Sequence, residues 1–129
     1  MKTTHRLLAA SLLAALSLGA AAAPTPPAVR AEIDALMAKM STSNCQFERN
    51  GSWHAAPEAR RHLLRKLEYI EKRRETLASA EQFIEVAATK SSFSGKPYRV
   101  KCGSGAAVPS REWLNRELNA LRAAGHKPS

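Results

Sequence analysis

Hydrophobic positions recur along this chain at two spacings, and the alternation between them predicts the order of its elements. Val29, Ile33, Leu36, Met37 and Met40 fall at i, i+4, i+7, i+8 and i+11, one apolar stripe on a helix expected over about residues 27–40. Ser41, Thr42, Ser43 and Asn44 break it. Cys45, Phe47 and Arg49 then alternate with Gln46, Glu48 and Asn50, a period of two that fits a short strand ending at the Asn50-Gly51 turn signal. Helical spacing returns with Ala59, Leu63, Leu67, Ile70 and Leu77 on one face, predicting a second helix over about residues 57–75. Pro57 suits its first turn, and Glu68 stands four residues ahead of Lys72 as a supporting pair.

Ser79 followed by Gln82 reads as a capping box opening a third helix, which carries Phe83, Ile84, Ala87 and Ala88 to about residue 90. Residues 91–97 form a polar loop. Tyr98, Val100 and Cys102 alternate with Arg99 and Lys101 in a second short strand, and residues 103–109 read as another loop. Ser110 is placed to cap a fourth helix with Trp113, Leu114, Glu117, Leu118 and Leu121 on its inner face, stopped by Gly125. The expected fold is therefore α+β and mostly helical: four helices around a short two-stranded ribbon, in the order α-β-α-α-β-α. Two strands alone are marginal in water, so the helices must supply most of the core.

Ahead of the first helix the pattern is of another kind. Lys2, His5 and Arg6 give a positive start, residues 7–18 are an uncharged run of Leu, Ala and Ser, and Ala20 to Ala23 supply small side chains. That is the pattern of a secretory signal peptide, with cleavage expected after Ala22, because a cut after Ala23 would place Pro24 next to the scissile bond. The run is too short for a transmembrane helix, which takes about 20 residues. No cysteine lies near the cut to carry a lipid. The organisation expected is a signal peptide over 1–22, a stiff Pro-rich leader over 23–27, one small domain over 28–125 and a short tail over 126–129.

Export changes how the cysteines read. Cys45 and Cys102 both lie in the mature part, one on each predicted strand. In an oxidising compartment they are expected to form a bridge that brings the two strands side by side; two buried free thiols are the alternative. No C-x-x-C motif is present to make the pair redox-active.

The chain carries 20 Lys and Arg against 11 Asp and Glu, and removing Lys2 and Arg6 with the signal peptide leaves a mature charge of +7. Such a surface attracts lipid phosphates, acidic glycans or acidic proteins, and export makes nucleic acid the poorest partner of that kind. A plain solvated surface fits the same composition.

One polar constellation stands out. His62, Lys66, Tyr69 and Arg73 fall at i, i+4, i+7 and i+11 of the second helix, a row beside the apolar stripe suited to a carboxylate or phosphate. Basic side chains that lay their stems on the core and hold their heads in water would give the same row. Ser91, Ser92 and Ser94 precede Gly95-Lys96-Pro97 in a loop whose hydroxyls and backbone could donate to an anion, although the sequence is not a Walker loop. The enzymatic alternative is a small serine hydrolase using Ser92 or Ser94, with His62 or Lys66 as base; no G-x-S-x-G or S-x-x-K accompanies them. His54 and His62 lie eight residues apart with no H-x-x-x-H or carboxylate cluster, so neither a metal nor a cofactor is expected. Trp53 and Trp113 read as packing residues.

The ordered set Cys45-x-Phe47-x-Arg49-Asn50-Gly51, His62-Leu63-x-x-Lys66, Ala80-Glu81-x-Phe83-Ile84 and Ser91-Ser92-x-Ser94-Gly95-x-Pro97-Tyr98 resembles the YfeK-like family of small exported bacterial proteins. The resemblance runs from about Cys45 to Cys102, with His54 standing where an aromatic such as Tyr is expected. It implies a periplasmic protein of Gram-negative bacteria built on a domain of unknown function, and it implies no reaction. Its motif residues coincide with the polar ones above: Arg49 and Asn50 close the first strand, His62 and Lys66 line the second helix, and the serines precede the second strand. If the bridge pairs the strands, these groups converge at one end of the ribbon, either as an anion site or as a structural hydrogen-bond network. The reading that follows is a non-catalytic binding module whose basic face meets an anionic envelope component or an acidic protein.

Overall fold

A computed structural model describes residues 25–73 and 75–125. The expected signal peptide, the first two leader residues and the tail lie outside the described residues. Within them the order is α1 Pro27–Ser41, β1 Cys45–Arg49, β2 Ser52–Ala55, α2 Ala56–Lys72, α3 Ala80–Ala87, β3 Arg99–Cys102, β4 Val108–Pro109 and α4 Ser110–Ala123. The four helices stand as the periodicity predicts, and the fold is α+β. The ribbon is a correction: the sheet has four antiparallel strands in the order β2-β1-β3-β4, not two.

Both extra strands lie at the edges, and each escaped the pattern for a physical reason. Asn50 and Gly51 have φ of 52° and 83°, the left-handed pair that a two-residue hairpin turn requires, so the chain must return along β1 as β2. The returning segment, Ser52-Trp53-His54-Ala55, lacks the apolar alternation that marks a strand. β4 is two residues long and ends in Pro109, which has no N–H to extend a ladder. Smaller shifts concern the helix ends: α2 stops at Lys72 rather than near residue 75, and α3 at Ala87 rather than near residue 90. Ser110 is the first residue of α4 rather than its cap, and its backbone N–H donates to the Tyr98 carbonyl at 2.8 Å.

Register sorts the sheet into two faces. His54, Phe47, Val100 and Val108 sit side by side across the four strands on the face covered by helices, and Phe47 meets Trp113 edge to face with centroids 5.5 Å apart. Trp53, Glu48 and Arg99 form the next row on the outer face, where Arg99 grips Glu48 through two hydrogen bonds of 2.8 and 2.9 Å and stacks over Trp53. Cys45 faces Cys102 directly, bonded as a disulfide with Cα atoms 4.1 Å apart. The bridge thus pins the register of the central strand pair, and Arg49, two residues beyond Phe47, inherits the inward face.

α2 and α4 lie against the sheet and α1 packs on α2, α3 and α4, burying Ile33, Leu36, Met37, Leu67, Phe83, Ile84, Leu114 and Leu118. Arg122 of α4 holds buried Glu32 of α1 at 2.7 Å and also contacts Glu81 of α3, while Arg30 of α1 reaches Glu71 of α2 at 2.8 Å. Ser79 Oγ caps α3 by accepting from the Gln82 N–H, and Gln82 returns a bond to the N–H of Ala78. Glu68 and Lys72 pair as expected. Among the described residues no helix is long and apolar enough to cross a membrane.

Candidate functional site

The end of β1, the first half of α2 and the loop after α3 meet in one open cleft of about 430 Å³. β1 delivers Arg49 from its inward face, and the hairpin turn adds Asn50. One helical turn separates His62 from Lys66, which places both over the same rim of α2. Tyr98 enters from below, held by its own N–H on the Thr89 carbonyl and by the Ser110 N–H on its own carbonyl. The residue is only 7% exposed.

The hydrogen bonds fix the state of each group. Arg49 donates to His62 Nδ1 at 2.6 Å, and a guanidinium only donates, so Nδ1 carries the lone pair and Nε2 the proton. His62 Nε2 then donates to the Tyr98 hydroxyl at 3.1 Å. Lys66 Nζ donates to the same hydroxyl at 3.3 Å and to the Lys90 carbonyl at 3.2 Å. With both lone pairs of Tyr98 Oη engaged, its own hydrogen is left to donate, and no protein acceptor for it occurs among the described residues.

The electrostatics agree with that assignment. Burial, then the charges of Arg49, Lys66 and Arg65, push His62 down to about 4, so it is a neutral imidazole at pH 7. Burial also lowers Lys66 and raises Tyr98, which keeps the phenol protonated although Arg49 opposes the shift. Among the described residues neither Arg49 nor Lys66 is ion-paired, and the lining of this cleft contains no aspartate or glutamate; Glu48 and Glu58 line the smaller adjoining cavity, which shares Arg49, His54, His62 and Tyr98 with the cleft. Glu58, in the first turn of α2, is engaged by His54 at 3.1 Å.

Ser91 Oγ accepts from the N–H groups of Phe93 and Ser94, both at 3.2 Å, and shapes the loop. Ser94 Oγ donates to Asn50 Oδ1 at 2.5 Å, joining the loop to the hairpin turn. That bond leaves the Asn50 amide nitrogen as a further donor beside the cleft. Ser92 lines the cleft. Among the described residues no serine is hydrogen-bonded to His62 or Lys66, and both ring nitrogens of His62 are committed to Arg49 and Tyr98.

Of the residues singled out in the sequence, Arg49, Asn50, His62, Lys66, Ser91 and Ser92 line the cleft, and Ser94 is tied to it through Asn50. Tyr69 and Arg73 do not join them. They are exposed at the C-terminal end of α2, Tyr69 on its last turn and Arg73 just past it, and the Arg73 guanidinium donates to the Tyr69 hydroxyl. Tyr98, Ser52 and Phe93 belong to the lining and were not anticipated as site residues. Tyr98 reads as a packing position on a strand, and only the tertiary meeting of its hydroxyl with α2 reveals its polar role. Among the described residues no group of three or more His, Cys, Asp or Glu could hold a metal ion.

No curated protein and no solved structure gives a significant match to this chain. The family model described as "Family of unknown function (DUF5329)" matches residues 27–122, which takes in the fold from the start of α1 to the last turn of α4 and every residue of the cleft, and the chain belongs to that family.

Proposed function

We propose that this protein is a non-catalytic binding module of the periplasm, exported by its N-terminal signal peptide and related to the YfeK-like proteins it resembles. Its cleft binds the carboxylate or phosphate of an anionic envelope component. One observation carries the reading: Arg49 and Lys66, both half-buried and without a carboxylate partner among the described residues, face a common cleft. Burying charges without counter-ions costs stability, and an anion in the cleft offsets that cost. The remaining groups sharpen the chemistry. Tyr98 O–H and the Asn50 amide both donate, so the cleft suits a ligand that accepts at every contact, as a fully ionised oxyanion does.

The test is titration of the mature protein with inorganic phosphate and with acetate, followed by NMR at low and high salt. Shifts centred on residues 49, 62, 66 and 98 are expected, weakening as salt screens the charges. Each charged hydrogen bond is worth about 1.5–3 kcal/mol, so Arg49→Ala or Lys66→Ala should weaken binding roughly ten- to hundredfold. Arg73→Ala and Arg116→Ala should not. Equal losses across all four variants would remove the cleft from consideration. Labelling of Ser92 or Ser94 by a serine-reactive probe would instead favour the hydrolase alternative.

A further inference from the structure

Phe93 is 96% exposed, the most open large apolar side chain among the described residues, and it stands at the mouth of the anion cleft. The loop that carries it is firmly built. Besides the two bonds to Ser91 Oγ and the tie to Asn50, the Gly95 N–H donates to the Ser91 carbonyl and the Ser91 N–H to the Lys96 carbonyl. A hydrogen-bonded loop that holds a phenyl ring in water works against the hydrophobic effect, which favours folding such a ring onto the core. Lys90 and Lys96 flank the ring at the stem of the loop, where Lys90 bridges to Pro97. Both are exposed, and among the described residues neither lies within ion-pair distance of a carboxylate, although Lys96 adds to the positive field that holds the Glu48 carboxyl low. Lys66 reaches the Lys90 carbonyl, so the loop stem that carries the two lysines forms one rim with the cleft.

We propose that this rim docks on an anionic lipid bilayer, with Phe93 in the boundary between headgroups and acyl chains and the ammonium groups of Lys90 and Lys96 at the phosphates. The phosphodiester of one headgroup then enters the cleft between Arg49 and Lys66; this step rests on the anion-binding reading given above. A bilayer fits better than a protein partner. Stable protein interfaces need several clustered apolar anchors, whereas the other exposed large apolar residues, Trp53, Tyr69 and Val86, lie outside both this loop and the cleft lining. Interfacial docking on lipid needs only a shallow apolar insertion and a ring of cations.

The experiment is co-sedimentation of the mature protein with vesicles of phosphatidylcholine alone or mixed with phosphatidylglycerol, beside an NMR titration with glycerol phosphate. Binding to the mixed vesicles alone is expected. Phe93→Ala should lower the partition roughly ten- to hundredfold, the value of burying one phenyl ring. Phe93→Trp should restore it and give fluorescence quenched by brominated lipids. Binding of glycerol phosphate with no binding of mixed vesicles would overturn the docking and leave the cleft reading standing. Vesicle binding unaffected by Phe93→Ala would also overturn it. Vesicle binding that needs Phe93 but survives Arg49→Ala and Lys66→Ala would overturn the entry of the headgroup into the cleft while the docking stands, and the cleft reading falls as well if glycerol phosphate fails to bind. Retention by a soluble protein, with no vesicle binding, counts against the docking.

Discussion

Removing the Cys45–Cys102 bridge should lower the stability of this fold by a predictable amount. The bond spans a sequence separation of 57, and it joins residues that are already direct partners across β1 and β3. Closing a loop of that length removes about 4 kcal/mol of chain entropy from the unfolded state, and strain or residual structure commonly reduces the effect to about 2–4 kcal/mol. At this chain length each kcal/mol moves the melting temperature by about 4–5 °C, so Cys45→Ala/Cys102→Ala should melt roughly 10–20 °C below the oxidised protein. The strand pair should persist, because Phe47 and Val100 remain buried opposite one another. Circular dichroism melts and denaturant titrations of the oxidised protein, the reduced protein and the double variant check the reasoning. The reduced protein and the variant should agree, with steeper denaturant dependence than the oxidised form because their unfolded chain is more expanded. Melting temperatures within about 2 °C of one another across the three would refute the loop-closure account, since that account requires at least about 2 kcal/mol. Two freely alkylated thiols in the native protein would refute the pairing itself.

The pH dependence of stability should carry the signature of His62. Its value of about 4 lies below the ordinary 6.5, so the unfolded chain takes up a proton between those limits that the fold resists. Stability is therefore full above pH 6.5, falls as the pH drops towards 4, and stops falling from this source below that. The full linkage is about 3 kcal/mol, reduced by solvent screening at a half-exposed site to roughly 1–2 kcal/mol, and His62→Gln should flatten this window in pH-dependent denaturation. An unchanged slope would rule the assignment out. Arg122→Met should destabilise by about 3 kcal/mol, because it strands buried Glu32 without its partner; Glu32→Gln in the same background should recover part of the loss in thermal melts. Phe83→Ala, at a side chain with no exposed surface, should cost about 3–5 kcal/mol in denaturant titrations, and a loss under 1 kcal/mol would mean that the core collapses around the gap.

The helices and the central strand pair were legible because long-period apolar stripes and a clean alternation in Cys45-x-Phe47 report burial directly. The edge strands were not: β2 presents Trp53 outward and His54 towards the cleft, so neither of its faces is simply apolar, and β4 is too short to have a period. The Asn50-Gly51 turn did carry the missing information, since a turn with two left-handed residues demands a returning strand. At the site, the helix row from His62 to Arg73 was legible only in its first half. Helical spacing places side chains on a common face, but which turn of that face meets another element depends on tertiary packing. Here the Tyr98 hydroxyl reaches His62 and Lys66, and Tyr69 and Arg73 are left to each other.

The hairpin turn also gives the cleft a chemical lifetime. Asn50 is followed by Gly51, whose lack of a side chain lets its backbone nitrogen attack the Asn50 side-chain carbonyl, with loss of ammonia and hydrolytic reopening to aspartate or isoaspartate. The turn is exposed, so water is at hand. The product would set a carboxylate beside Arg49 and Lys66, the two cations that lack one, and would remove the amide donor in the same event. On the anion-binding proposal, ageing of this protein would then act as an internal inhibitor, filling the cleft with a charge of its own making. The isoaspartate product would also lengthen the main chain by one atom inside the tight turn, and so loosen the pairing of β1 with β2 while the disulfide on the other side of β1 stays in place.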